Sequence, residues 1–292
     1  MSRTELAKQA LEKSLEIREE YGYDFRSPLC VYELAQKARV AVRFIDDVSM
    51  EGVYAALAKP KILISSLRPA GRRVFTCAHE LAHHFFGHGS TIDELRDEAE
   101  SGQFQPNEFL ANAFAGFLLM PAQGVKRAFS LRRQEIGTAT PEQVYGVACS
   151  FGVGYETLIG HLEYSLKLLT TNRATILRKT KLPKLRARIL NSSISGHLVV
   201  VDRAYLLATV DAEAGNSTEP GNLLLLPEGA TAHGDQIELI ERNANGTLYR
   251  AVRPGLVRAT LPSNDWGVIV RVSRYQYAGL AQYRHLEETS DD

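Results

Sequence analysis

Cysteine is scarce in this sequence and long apolar runs are missing, and each absence closes off a class of protein. Only three cysteines occur, Cys30, Cys77 and Cys149. Their odd number and wide spacing argue against a disulfide framework and against any paired-cysteine metal site. They read as reduced, mostly buried thiols of a cytosolic protein. The most apolar run, Phe109 to Met120, is too short to span a bilayer and contains Asn112. No charge dominates either, since 34 Lys and Arg balance 34 Asp and Glu. Nothing global therefore points to nucleic acid or to a membrane surface. Met1–Glu5 passes straight into a charged amphipathic pattern without a hydrophobic leader core, so a cytoplasmic location is expected. No internal repeat is found.

What is present reads as an α+β chain of 292 residues, long enough for two or three domains. Arg3 to Glu20 repeats Leu and Ala at helical spacing. Ser27-Pro28 offers a cap and a first-turn proline for a helix through Ala38. Val40–Ile45, Gly52–Leu57 and Lys61–Ile64 read as short strands. Pro69 opens a helix that Gly87 or Gly89 ends, and Pro106 opens another that Pro121 stops. Between them Ser90–Gln105 reads as an acidic loop or surface helix. Thr140-Pro141-Glu142-Gln143 starts a helix to Phe151, which breaks at Gly152-Val153-Gly154 before a second from Tyr155 to Leu169, a helix-turn-helix pattern. Asn172–Leu190 carries seven Lys or Arg and no acid, and reads as a solvated helix or linker. From His197 the pattern changes to short β-prone runs punctuated by Gly, Asn, Pro and Asp. The expected domains are 1–122, with a small sheet; 123–190, helical; and 191–292, β-rich.

The most informative segment is His79-Glu80-Leu81-Ala82-His83. Residues four apart on an α-helix share one side, about 6 Å apart along the axis. Two imidazoles so placed can hold one Zn²⁺, and the glutamate between them is near enough to take a proton from water. A chance match is expected in roughly one or two sequences per hundred of this composition, so context decides. Val74, Phe75, Ala78, Leu81, Ala82, Phe85 and Phe86 make the helix apolar on most of its circumference, which predicts burial. Polar groups in a buried helix need partners, and a metal supplies one.

A catalytic zinc needs a third protein ligand. A continuation with glycine at 86 and histidine at 89 is absent, since the chain has Phe86 and Gly89. His84 points away from the His79/His83 face and His88 lies past the helix end. Each reads as solvent-facing or as supporting a ligand. Glu108 falls in the first turn of the next apolar helix, where the helix dipole favours a carboxylate. Asn112, one turn on, is placed to hydrogen-bond the second ring nitrogen of a ligating histidine. The alternative makes Glu108 an ordinary first-turn acid and Asn112 an amide bonded to backbone. Asp93, Glu94, Asp97, Glu98 and Glu100 compete for the role, but lack an apolar helix to hold them.

Phe75–His83, Glu108–Ala115 and Leu118–Pro121 together resemble the ImmA/IrrE family of bacterial metallopeptidases. Val31–Ala35, Val40–Phe44 and Lys61–Ser65 also fit its pattern, so the resemblance covers roughly residues 28 to 122. It implies a zincin-like domain with one zinc per chain held by His79, His83 and Glu108, and Glu80 as the base. It further implies cleavage of an XRE-type helix-turn-helix repressor, derepressing stress-response or mobile-element genes. A helix-turn-helix-like middle region and a GAF-like C-terminal sensor, open to a small-molecule or protein signal, are also implied. No motif in 191–292 matches.

Peptide-bond hydrolysis needs a second donor to the oxyanion, for which Tyr145, Tyr155 and His161 are candidates. The rival class is a non-proteolytic DNA- or protein-binding regulator with a zinc site. Against DNA, the second helix of the middle region carries Glu156 and Glu163 and no Arg or Lys between Tyr155 and Tyr164, so direct DNA binding is not expected. An idle protein retaining a metal site is the third reading, and the intact Glu80 weighs against it.

Overall fold

The computed structural model describes residues 1–94, 104–192, 194 and 196–286, and the architecture is mixed α and β. In chain order the first elements are α1 (Arg3–Glu20), α2 (Val31–Lys37), β1 (Ala41–Ile45), β2 (Met50–Ala55), β3 (Lys61–Ser65), α3 (Ala70–Phe86), β4 (Thr91–Glu94) and α4 (Pro106–Leu119). Then come α5 (Ala122–Leu131), α6 (Pro141–Ser150), α7 (Tyr155–Gly160), α8 (Thr171–Arg178) and α9 (Leu182–Leu190). The chain divides into two compact units. The first is Met1–Arg127, Phe151–Lys167 and Ala278–Gln282; the second is Ala128–Ser150, Leu168–Tyr277 and Tyr283–Asp292.

The first unit is built on a five-stranded sheet of order β13-β1-β3-β2-β4, with β13 (Gly279–Leu280) on one edge. β1 and β3 run parallel, and the other pairings are antiparallel. α3 packs between this sheet and α4, and α1 lies along α4. The burial expected of α3 is observed, with every residue from Thr76 to His83 buried. Gly87, at φ 67°, stops the helix in the left-handed region that glycine enters without a steric penalty.

Two remote side chains fix the C-terminal end of α4, the helix that carries Glu108. The last carbonyls of a helix have no partner within it. Fully buried Arg18 of α1 donates to Leu118 O from Nε (2.9 Å) and Nη2 (2.6 Å), and also reaches the carbonyls of Asp24 and Ser27. His161 Nε2 donates to Met120 O at 2.9 Å. Its ring lies over Gly116, where a Cβ would stand 2.8 Å from His161 Nδ1.

Several local expectations need correction. The helix expected from Ser27 starts at Val31 instead, because the Ser27 hydroxyl donates to Asp24 Oδ2 and its carbonyl accepts from Arg18. The start of the supposed loop after Ser90 is strand β4, whose Thr91 and Ile92 pair with Tyr54 and Val53 of β2. Asp97, Glu98 and Glu100 lie outside the described residues. The helix from Tyr155 lasts only to Gly160 and continues as a π-helical turn, His161–Ser165. Asn172–Leu190 is two helices, α8 and α9, because Pro183 fits the first turn of a new helix rather than the interior of an old one.

The second unit carries the β-rich structure expected after His197. One sheet has the order β5 (Leu198–Val200), β7 (Leu223–Leu226), β10 (Gly246–Ala251), β9 (Ile237–Asn243). The other runs β6 (Thr209–Glu213), β12 (Gly267–Ser273), β11 (Gly255–Thr260), β8 (Thr231–Ala232). Leu224, Leu226 and Tyr249 from the first join Val210, Val257 and Val270 from the second in one buried cluster. Thr140 caps α6 as expected, with Gln143 Oε1 accepting from Thr140 N (2.8 Å). The two halves of the helix-turn-helix pattern belong to different units, α6 to the second and α7 to the first.

Candidate metal centre

α3 presents His79 and His83 one turn apart, and α4 brings Glu108 to them. His79 Nε2 lies 3.1 Å from His83 Nε2 and 3.1 Å from Glu108 Oε2, and His83 Nε2 lies 3.6 Å from Glu108 Oε1. Donor atoms around a tetrahedral zinc, with bonds of about 2.0–2.1 Å, stand about 3.3 Å apart. The three groups thus have the spacing of one face of such a shell, and they form the cluster among the described residues that is suited to a metal ion. The histidine side chains are 6% and 0% exposed and Glu108 is 28% exposed, so solvent meets the cluster from the carboxylate side.

Both imidazoles are oriented through their second nitrogen. His79 Nδ1–H donates to Asn112 Oδ1 at 3.1 Å, as the one-turn spacing of Glu108 and Asn112 leads one to expect. His83 Nδ1 faces His88 Nδ1 at 3.0 Å. With Nδ1 of His79 protonated, its Nε2 carries a lone pair beside a second imidazole and a carboxylate. A divalent cation suits that donor set.

Glu80 is fully buried and faces the sheet. A Cβ on Gly52 of β2 would stand 2.7 Å from Glu80 Oε1 and 2.5 Å from Thr76 Cγ2. Only a residue without a side chain lets α3 approach this closely. β2 is irregular here, its pairing with β4 shifting register between Met50 and Gly52. Composition offered no signal for this role of Gly52, which lies among ordinary strand residues.

The other histidines are also placed. His84 Nδ1 meets Tyr54 OH at 2.8 Å, and burial lowers the pKa of both His84 and His88 below the usual imidazole value. Burial pushes His161 down to about 4. Neutral and with its N–H given to Met120 O, His161 presents a lone pair at Nδ1 and is therefore no oxyanion donor. Tyr145 belongs to the second unit, where its hydroxyl donates to Leu198 O (2.6 Å). Tyr155 is buried in the first.

A small mixed sheet, a His-Glu-x-x-His helix and a carboxylate from the following helix make up this candidate metal site and its support. Residues 33–162 match the model of the IrrE N-terminal-like domain, Peptidase_M78. Comparison with curated proteins gave no match. Among solved structures, a Mycobacterium tuberculosis transcriptional regulator is similar at 21% identity with a TM-score of 0.36. The similarity covers 55% of this chain and 46% of that one, so the chain spans about half the length of that protein. No helix among the described residues is long and apolar enough to cross a membrane.

Proposed function

We propose that the chain is a zinc-dependent endopeptidase, with one Zn²⁺ held by His79, His83 and Glu108 and with Glu80 as general base. The observation that carries this reading is the convergence, within 3.1–3.6 Å, of two Nε2 atoms from the helix that bears Glu80 and one carboxylate from α4. Zinc bound there would supply Lewis acidity, activating water at neutral pH and polarising the scissile carbonyl. Glu80 takes a proton from the attacking water and returns it to the leaving amine. Asn112 holds the His79 imidazole in register, and the contact with Gly52 fixes the position of the Glu80 carboxylate.

The substrate we infer is an XRE-type transcriptional repressor, whose cleavage derepresses stress-response or mobile-element genes in the cytoplasm. The resemblance of Phe75–His83 and Glu108–Pro121 to the ImmA/IrrE pattern supports this. In this reading residues 1–122 carry the chemistry, the helices of 123–190 grip the protein substrate, and 191–292 act as a GAF-like sensor for a small-molecule or protein signal. A DNA-reading role for the middle helices has less support. Tyr155, Leu158, Ile159, His161, Leu162 and Glu163 are buried, whereas a recognition helix must offer its side chains to a groove.

The test is to measure bound zinc and cleavage together, using helix-turn-helix repressors encoded beside the gene. One zinc per chain with cutting by wild type supports the reading. Zinc without cutting of any such repressor would shift it to a binding role, and failure to take up zinc would overturn the site.

A further inference from the structure

We propose that His88 is the positioning residue for His83, delivered to it by the helix stop at Gly87. The inference rests on the metal reading of the site and adds a residue that the five-residue motif does not contain.

The argument begins with the backbone. Gly87 N–H bonds His84 O (3.3 Å) and His88 N–H bonds His83 O (3.0 Å), with Gly87 left-handed. This is the paired-bond helix stop in which the second residue past the cap folds back over the helix residue five before it. An apolar contact commonly joins those two positions. Here both are histidines, and their Nδ1 atoms meet at 3.0 Å. Phe86 stacks on the His88 ring, with centroids 5.6 Å apart and planes 12° apart, which holds its orientation.

The protons can then be placed. For His83 to bind a metal through Nε2 as a neutral imidazole, its proton must sit on Nδ1. That N–H points at His88 Nδ1, which must accept, so the His88 proton lies on Nε2. His88 thereby selects the His83 tautomer that leaves Nε2 as a ligand, as Asn112 does for His79 through Oδ1. Spacing alone produces this, since a helix-stopping glycine four residues after the second ligand and a histidine directly after it bring the two rings together.

Zinc affinity measured by chelator competition tests the inference in wild type, His88→Phe and His88→Gln. Phenylalanine keeps the ring and its stacking on Phe86 but removes the acceptor, while glutamine restores a carbonyl oxygen. Loss of such an outer partner weakens metal binding about 10–100-fold. The expected order is therefore wild type tightest, His88→Gln intermediate and His88→Phe weakest. The thermal upshift on adding zinc should shrink in the same order, with metal-free melting temperatures alike. Wild-type affinity in His88→Phe would overturn the role of His88 and leave the metal reading standing. Equal losses in both variants would reduce His88 to a packing residue. Failure of wild type to bind zinc would instead overturn the metal reading, and this inference with it.

Discussion

Gly52 on β2 and Glu80 on α3 touch so closely that a methyl group at Gly52 would stand 2.7 Å from the Glu80 carboxylate. The same methyl would meet Thr76 Cγ2 at 2.5 Å. The flexible carboxylate can swing away, but the β-branched Thr76 is stiff within its helix. Gly52→Ala should therefore cost about 1–3 kcal/mol by overpacking. Displacing the base should lower turnover on the order of 100-fold. Zinc content should stay unchanged, because the atoms nearest a Cβ at Gly52 belong to Thr76 and Glu80 and not to His79, His83 or Glu108. Metal analysis beside single-turnover cleavage separates these effects, and unchanged turnover would remove Gly52 from the catalytic geometry.

Glu80→Gln keeps the size of the side chain and removes the base. It should retain wild-type zinc and lose cleavage by at least about 100-fold, within the range general-base catalysis supplies. Zinc loss in this variant, read by elemental analysis, would give Glu80 a structural role instead.

Arg18 is a stability residue with an effect at a distance. Burial pushes its pKa down to about 10, so the guanidinium remains charged at neutral pH. Arg18→Met would strand Leu118 O and the carbonyls of Asp24 and Ser27. A loss of about 2–4 kcal/mol is expected in urea unfolding. Because Leu118 lies in the last turn of the helix bearing Glu108, zinc affinity should fall as well. A stability change below about 0.5 kcal/mol would contradict the capping role.

His161 predicts acid sensitivity in the first unit. Folded, it takes a proton only near pH 4, whereas an unfolded histidine does so near about 6.5. Its contribution is fully present above that unfolded value. As pH falls below it, the unfolded chain binds the proton first, and stability drops by about 1.4 kcal/mol per unit down to about pH 4. His161→Gln can still donate to Met120 O and does not titrate. Its stability-versus-pH curve should be flatter than wild type by up to one proton across this window. Parallel curves would show that other groups govern the acid limb.

The helical parts of the site were legible in the sequence. α1 spans Arg3–Glu20 as its Leu and Ala spacing indicates, and the all-round apolar composition of α3 does correspond to burial. Asn112 stands where one helical turn from Glu108 places it, against His79. Less legible was everything set by distant pairing. Glu94 read as part of a loop and Ser27 as a cap, because each depends on a partner that local pattern does not reveal: β2 for the strand that Glu94 ends, and Asp24 with Arg18 for Ser27. His161 looked like a donor until its proton was seen to be committed to Met120 O, 41 residues away in sequence.

The sequence by itself determined that His79 and His83 share one side of a helix with Glu80 between them in the chain, because helical geometry fixes neighbours three to four residues apart. Tertiary structure decided that Glu108 meets those histidines, that Arg18 and His161 hold the end of its helix, and that Gly52 makes room for Glu80. Those contacts join separate elements across a packed core, where the fit of remote side chains, and not the local period, selects the partner.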